Sequence, residues 1–311
     1  MIIYIFKRIV TFLFIICVLA QISFCLVYFT PYSMSNFHNL SFIDAYSSFF
    51  KQLLQGEFRL LTGETVLFFQ TLLATFELCI LALFVALLIG LPLGIFLGLS
   101  NINWLNNMIR LGSLLLYSCP IVMLVIVVMY CLSPTWTISM NFDISPSVTG
   151  TSLLEILAST KASKWQELFE QFHYLILPII LLAIQPSIMT IQLIGQNVKN
   201  TSRQNFIKMA IIRERSPFKI LRRHLLPNSI PATIPQLTYN TTTLLFSTMV
   251  IEILFNRAGL GQWVMIAYHH HNYFIISIAI LACGTVISLL TLLGEISAIA
   301  IYPLRHKEYY V

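Results

Sequence analysis

Six long apolar stretches dominate this chain. A helix needs about 20 predominantly apolar residues to cross the hydrocarbon core of a bilayer. Residues 9–29, 76–99, 109–132, 174–194, 237–255 and 274–301 each meet that standard. Between them there is little to face water: 10% of the 311 residues are charged, against about 25% in an ordinary soluble domain. A soluble enzyme is thereby excluded, and so is a disordered chain, which needs high charge and low hydrophobicity. The expectation is an all-α, polytopic integral membrane protein with six transmembrane helices. The first stretch begins straight after Lys7-Arg8 and reaches Thr30-Pro31 without a small-residue cleavage site, so it reads as a retained anchor.

The basic residues are one-sided. With the N-terminus inside, thirteen of the eighteen lysines and arginines fall on the inner side, and the other five are Lys51, Arg59, Lys161, Lys164 and Arg257. Acids run the opposite way, seven outside and two inside, with three in the spans. The positive-inside rule then puts both termini in the cytoplasm. The net charge of +6 is chiefly a topology signal, and nucleic-acid binding has no support.

Most of that positive charge sits in one inner loop. Residues 195–228 hold Lys199, Arg203, Lys208, Arg213, Arg215, Lys219, Arg222 and Arg223 against the single acid Glu214. Phe206, Met209, Ala210 and Ile212 recur near helical spacing, as do Phe218, Leu221 and Leu225. Between them, Ser216-Pro217 suits an N-cap and first helical position, the hydroxyl satisfying a free N–H. The expected structure is two short helices joined by a turn. An amphipathic pair at the lipid headgroups and a docking element for a cytoplasmic partner both fit these residues.

The loop's sequence, from Asn205-Phe206-Ile207-Lys208-Met209-Ala210 through Leu221-Arg222-Arg223-His224-Leu225-Leu226-Pro227-Asn228, resembles the EAA loop of binding-protein-dependent ABC permeases. It is most similar to the dipeptide/oligopeptide branch. The resemblance continues through Glu252-Ile253-Leu254-Phe255-Asn256-Arg257-Ala258-Gly259-Leu260-Gly261, and to Phe6-Lys7-Arg8 at the start of the chain. Ile220-Leu221-Arg222-Arg223-His224 and Pro303-Leu304-Arg305-His306-Lys307-Glu308 look like permeases of Sap peptide transport systems.

The resemblance implies a type I ABC importer permease fold. An N-terminal helix and first periplasmic segment (1–70) would precede a five-helix core (71–303) carrying the cytoplasmic EAA loop (199–228), with a cytoplasmic tail (304–311). It further implies a bacterial inner-membrane location, a second homologous permease subunit, two cytoplasmic ABC ATPase subunits and a periplasmic substrate-binding protein. The cargo would be peptides, antimicrobial peptides among them, or a polyamine such as putrescine for export. In this family the EAA loop couples ATPase closure to the spans, so Ala210, Arg213, Glu214, Ser216, Phe218, Leu221 and Arg222 are the expected coupling residues. The chain departs from the family where glycine is usual and Glu214 stands, and where alanines are usual and Met209, Ile211 and Ile212 stand. A left-handed turn costs a non-glycine residue about 1–2 kcal/mol, so either the turn is reshaped, with Ser216-Pro217 fixing the second helix, or the ATPase groove differs; the reshaped turn is the favoured expectation. Ala258 likewise replaces a proline, and Asn272-Tyr273 an Asp-Tyr.

Glu77, Glu252 and Glu295 lie within or at the edges of spans. A carboxylate there costs a few kcal/mol and tends to face the bundle interior or a water path, so the three are candidates for a translocation pathway or gate. The alternative for each is a structural group holding helices together. Gly90-Leu91-Pro92-Leu93-Gly94, Cys119-Pro120 and Gln185-Pro186 are expected to break their spans, as helices lining a substrate path often do.

Other chemistry is weakly supported. The six cysteines all lie in spans with no Cys-x-x-Cys pair, and buried cysteine usually acts as a small hydrophobe. His269-His270-His271 cannot aim three adjacent rings at one ion from a regular helix, and no carboxylate or cysteine is near in sequence. No glycine is followed by lysine, so the phosphate cradle of an ATPase is missing. No hydrolase elbow or zinc helix is present either. The chain is expected to be a transport subunit without cofactor, driven by partner ATPases. A proton-coupled transporter working through Glu252 or Glu295 without an ATPase, and a receptor or scaffold carrying no flux, are the rival classes.

Overall fold

A computed structural model describes residues 2–30, 40–55, 68–100, 103–132, 164–214, 216–230 and 233–301, and everything described is helix or short connection. The helices are α1 (Ile2–Phe29), α2 (Phe42–Gln55), α3 (Phe68–Leu99), α4 (Asn103–Ser118), α5 (Ile121–Leu132) and α6 (Lys164–Ser202). They continue with α7 (Asn205–Arg213), α8 (Pro217–Ile220), a π-helical turn (Leu221–Leu225), α9 (Leu226–Ser229), α10 (Ile234–Leu254), α11 (Leu260–His269) and α12 (Tyr273–Ile301).

Four segments are long and apolar enough to cross a membrane: Ile5–Phe29, Phe68–Leu99, Trp165–Ser202 and Tyr273–Ser297. A fifth is formed if α4 and α5, bent by 93° at Cys119-Pro120, count as one span. Helix α10 covers the fifth expected span with 21 residues, but Gln236, Thr238, Asn240, Thr241, Thr242 and Thr243 leave it below the same apolar standard. Its threonines are accommodated by bonding back to carbonyls of their own helix, as Thr238 does to Ile234 and Thr243 to Asn240.

Of the three expected breaks only Cys119-Pro120 interrupts a helix. Helix α3 runs through Pro92, and α6 runs through both Pro178 and Pro186. The glycines at 90 and 94 have a different use. With Gly98 they repeat every fourth residue on one face of α3, and a Cβ on any of them would press into Thr190, Ile194 or Val198 of α6. Two membrane helices without a hydrophobic driving force between them gain from such close backbone approach.

The chain divides into two compact units. The first contains Met1–Leu78, Ser133–Ile176 and Thr248–Leu292. Its aromatic core is Phe24, Val27, Ala45 and Phe49, with Tyr28, Tyr46, Phe50 and Phe274 packed around them. Phe24 stands edge-on to Phe42, Tyr46 and Phe49, which fastens the amphipathic α2 to α1. The second unit contains Cys79–Leu132, Leu177–Ser247 and Leu293–Val311. There Ile194, Val198, Ile207 and Leu225 form a dry cluster backed by Leu91, Ile95 and Leu221, which binds the basic loop to α3 and α6.

Candidate functional site

Two groupings of the expected residues stand out, one in each unit. The first surrounds Glu252 near the end of α10, which is fully buried, as Glu77 and Arg257 nearly are. Arg257 Nη2 donates to Glu77 Oε2 at 3.0 Å, a pair joined across 180 residues of sequence. The Glu252 carboxylate turns to backbone instead, and the Gly261 N–H donates to its Oε2 at 2.8 Å. The neighbouring Leu260 N–H donates to Thr75 Oγ1 at 2.9 Å. Gly259, Leu260 and Gly261 open α11. A carboxylate on a free N–H group at a helix start is favoured by both hydrogen bonding and the helix dipole.

The chain reaches this geometry through a left-handed turn. Helix α10 ends with Asn256 at φ 51°, the Arg257 N–H returning to the Glu252 carbonyl at 2.9 Å and the Asn256 N–H to the Ile253 carbonyl at 3.3 Å. That is a Schellman closure with asparagine in the position glycine usually takes. It swings Arg257 back toward Glu77. Two glycines then permit close approach: a Cβ on Gly259 would occupy the space of the Glu252 carboxyl, and one on Gly261 would collide with the Met249 carbonyl. Trp263 packs on Phe68 below them. Among the described residues, Glu252 Oε1, Arg257 Nη1 and Trp263 Nε1 have no hydrogen-bond partner, so capacity remains unused in dry surroundings.

The second grouping is the basic loop. Helix α7 turns Ile207 and Ala210 inward and leaves Met209, Ile211, Ile212 and Arg213 exposed, Ile212 at 82%. Glu214 is extended at φ −108°, ψ 122°, with no left-handed residue at its position. Ser216 and Pro217 do occupy the N-cap and first position of α8, but the Ser216 hydroxyl makes no capping bond; its carbonyl accepts the Ile220 N–H at 3.2 Å. The capping expected of the hydroxyl is therefore corrected: the extended Ser216 backbone and the fixed φ of Pro217 suffice to start the helix.

Past Ile220 the helix widens into its π-helical turn, with the Leu226 N–H reaching back to the Leu221 carbonyl. Pro227 follows at once and has no N–H to return to the helix. Side chains add bonds to carbonyls of this turn: Asn228 Nδ2 donates to the His224 oxygen at 2.6 Å and Ser229 Oγ to the Leu225 oxygen at 2.7 Å. Glu214 crosses the turn, its Oε1 lying 3.1 Å from His224 Nε2 and 3.8 Å from Arg223 Nη1. The His224 hydrogen bond holds the Glu214 carboxyl below its ordinary value of 4.5.

Glu77 and Glu252 thus fall in one cluster, whereas Glu295 is half-buried in the second unit. Arg213, Phe218 and Arg222 are exposed on the loop, Glu214, Ser216 and Leu221 are half-buried, and Ala210 faces the interior. His269 ends α11 and His271 is the left-handed residue after it at φ 52°, so the histidine run is a helix terminus. Arg257, Thr75, Gly259 and Gly261 were not expected as site residues. The signal for Arg257 was a lone basic residue beside a span that carries an acid.

The sequence pattern of one family, described as binding-protein-dependent transport system inner membrane component, matches residues 90–305. The chain belongs to that family. It is therefore a multi-pass inner-membrane permease component of a transport system that works with ATPase and binding-protein partners, and it is not a catalytic subunit. This permease is 31% identical over 320 residues to the putrescine export system permease protein SapB of Escherichia coli K12, covering 100% of the chain and 99% of that protein. It is 30% identical, over the same shares, to the peptide transport system permease protein SapB of Salmonella typhimurium LT2. The di/tripeptide transport system permease protein DppB of Pseudomonas aeruginosa UCBPP-PA14 is 26% identical over 243 residues, 76% of the chain and 71% of that protein.

Proposed function

We propose that this permease is one of two homologous membrane-spanning subunits of an ATP-driven ABC transporter that moves peptides, antimicrobial peptides among them, across the bacterial inner membrane. Two cytoplasmic ATPases supply the energy and a periplasmic protein delivers substrate. In this reading α10 is the fifth of six spans in a type I importer fold, both termini are cytoplasmic, and residues 71–303 form the core behind the 1–70 extension. The observation that carries it is the basic loop, which exposes Ile212, Arg213, Phe218 and Arg222 while Ile207 and Leu225 root it in α3 and α6. Ala210 is buried with Ile207 on the inner face of α7. A push on the loop passes through the dry cluster to two long helices already held together by the Gly90, Gly94 and Gly98 face.

Glu77 and Glu252 then act as a brace at the gate: both are buried and bound within the protein, by Arg257 and by the start of α11. Glu295 keeps the pathway role. A second cargo, a polyamine such as putrescine moving outward, draws on the name of the E. coli K12 relative. Reconstitution with the partner subunits tests all of this. ATP-dependent flux of peptide supports the first cargo and flux of putrescine the second. Flux driven by a pH gradient through this chain alone would replace the ABC reading with a proton-coupled one.

A further inference from the structure

We infer that Glu214 and His224 form a brace that sets the angle between the two arms of the coupling loop, making Glu214 a positioning residue for the stroke. This rests on the reading that the loop engages an ATPase. Glu214 ends the first arm and His224 lies in the second, ten residues on, with 3.1 Å between Oε1 and Nε2. Among the described residues, Glu214 and Ser216 are both extended, so neither continues a helix that would hold a fixed angle. The side-chain contact takes up that task.

The second arm is built to present His224. Pro227 and the π-helical turn change the helical phase there, and Asn228 clamps the His224 carbonyl at 2.6 Å. Leu225 beside it is buried in the cluster with Ile194 and Val198, so the ring is held to the same frame as α6. Arg223 adds little, being 78% exposed and 3.8 Å away. Neutral or protonated, an Nε2–H donates to the carboxylate. The contact acts as a strut, and the exposed Ile212 and Phe218 are held at one separation.

The test uses the full transporter complex in nanodiscs with Glu214→Ala, Glu214→Gln, His224→Ala and the double alanine variant. Hydrogen exchange of amides 217–229 reads the brace, and substrate-stimulated ATP hydrolysis reads the stroke. Glu214→Ala is expected to speed exchange about fivefold, the worth of one hydrogen bond, and to lower stimulation by a similar factor with assembly unchanged. Glu214→Gln, which keeps an acceptor, restores both readouts, and the double variant is no worse than either single one. Unchanged exchange overturns the brace. Faster exchange with unchanged stimulation overturns its role in the stroke, as do singles whose effects multiply in the double variant. If no crosslink forms from Arg213→Cys to the ATPase in the active complex, the docking reading fails, whatever the exchange shows.

Discussion

The Glu252 cluster and the basic loop use the same kinds of residue in opposite ways. In the cluster, charged groups are buried and turned on one another or on backbone, with glycines making the room. In the loop, the one acid is consumed internally while arginines and large aliphatics are left outward. The first arrangement holds a shape. The second leaves a surface exposed among the described residues. Substitutions in the cluster are therefore expected to appear as lost stability, and substitutions on the loop as lost coupling in a stable protein.

The largest effect should come from Arg257→Ala. It takes the guanidinium away from the buried Glu77 carboxylate, a loss of about 3–5 kcal/mol, read as a drop in the thermal unfolding midpoint of the detergent-purified permease. Replacing the pair together, with Glu77→Gln and Arg257→Met, should recover most of it. If the double replacement is as damaging as the single one, the ion pair is not what the cluster depends on. Next is Gly261→Ala, whose Cβ meets the Met249 carbonyl, with an expected cost of about 1–3 kcal/mol. Gly112→Ala is its control: nothing lies near that Cβ, and stability should stay within about 0.5 kcal/mol.

The loop should behave otherwise. Ile212→Ala and Phe218→Ala remove exposed side chains, so stability should change by less than about 0.5 kcal/mol, while ATP hydrolysis by the assembled complex falls. A large stability loss at either position would place the loop surface in the same class as the cluster. The smallest effect concerns pH. The Glu214 carboxyl is held below 4.5 by His224, so the stability it contributes is complete above that value and is lost as pH falls through its lowered folded value. Exchange protection of residues 217–229 should be flat on the alkaline side of 4.5 and decline below it. A decline starting well above 4.5 would assign the protection to another group.

Hydropathy made most of the fold legible, because a lipid-facing helix must be apolar along its whole length. It served less well at α10, where threonine hydroxyls bond within their own helix and so escape the cost that their type implies. Proline and glycine misled. Pro92 and Pro186 suggested breaks, yet the helices continue, and the every-fourth-residue spacing of Gly90, Gly94 and Gly98 was itself the sign of helix packing. In the cluster, Glu77 and Glu252 were visible as charges out of place. Arg257 and Thr75 were not, since pairs separated by 180 residues or more leave no local pattern. Ser216-Pro217 marked where the second arm begins. The contact of Glu214 with His224 left no sign in the sequence, because the phase of the second arm depends on the π-helical turn.

The central claim is that the basic loop transmits the ATPase stroke, and site-directed crosslinking tests it most directly. A cysteine at Arg213 in the otherwise unaltered complex, held in nanodiscs and turning over ATP, should crosslink to the ATPase subunit with a yield that changes between nucleotide-free and ATP-bound states. An actively transporting complex in which that cysteine never reaches the ATPase would contradict the account.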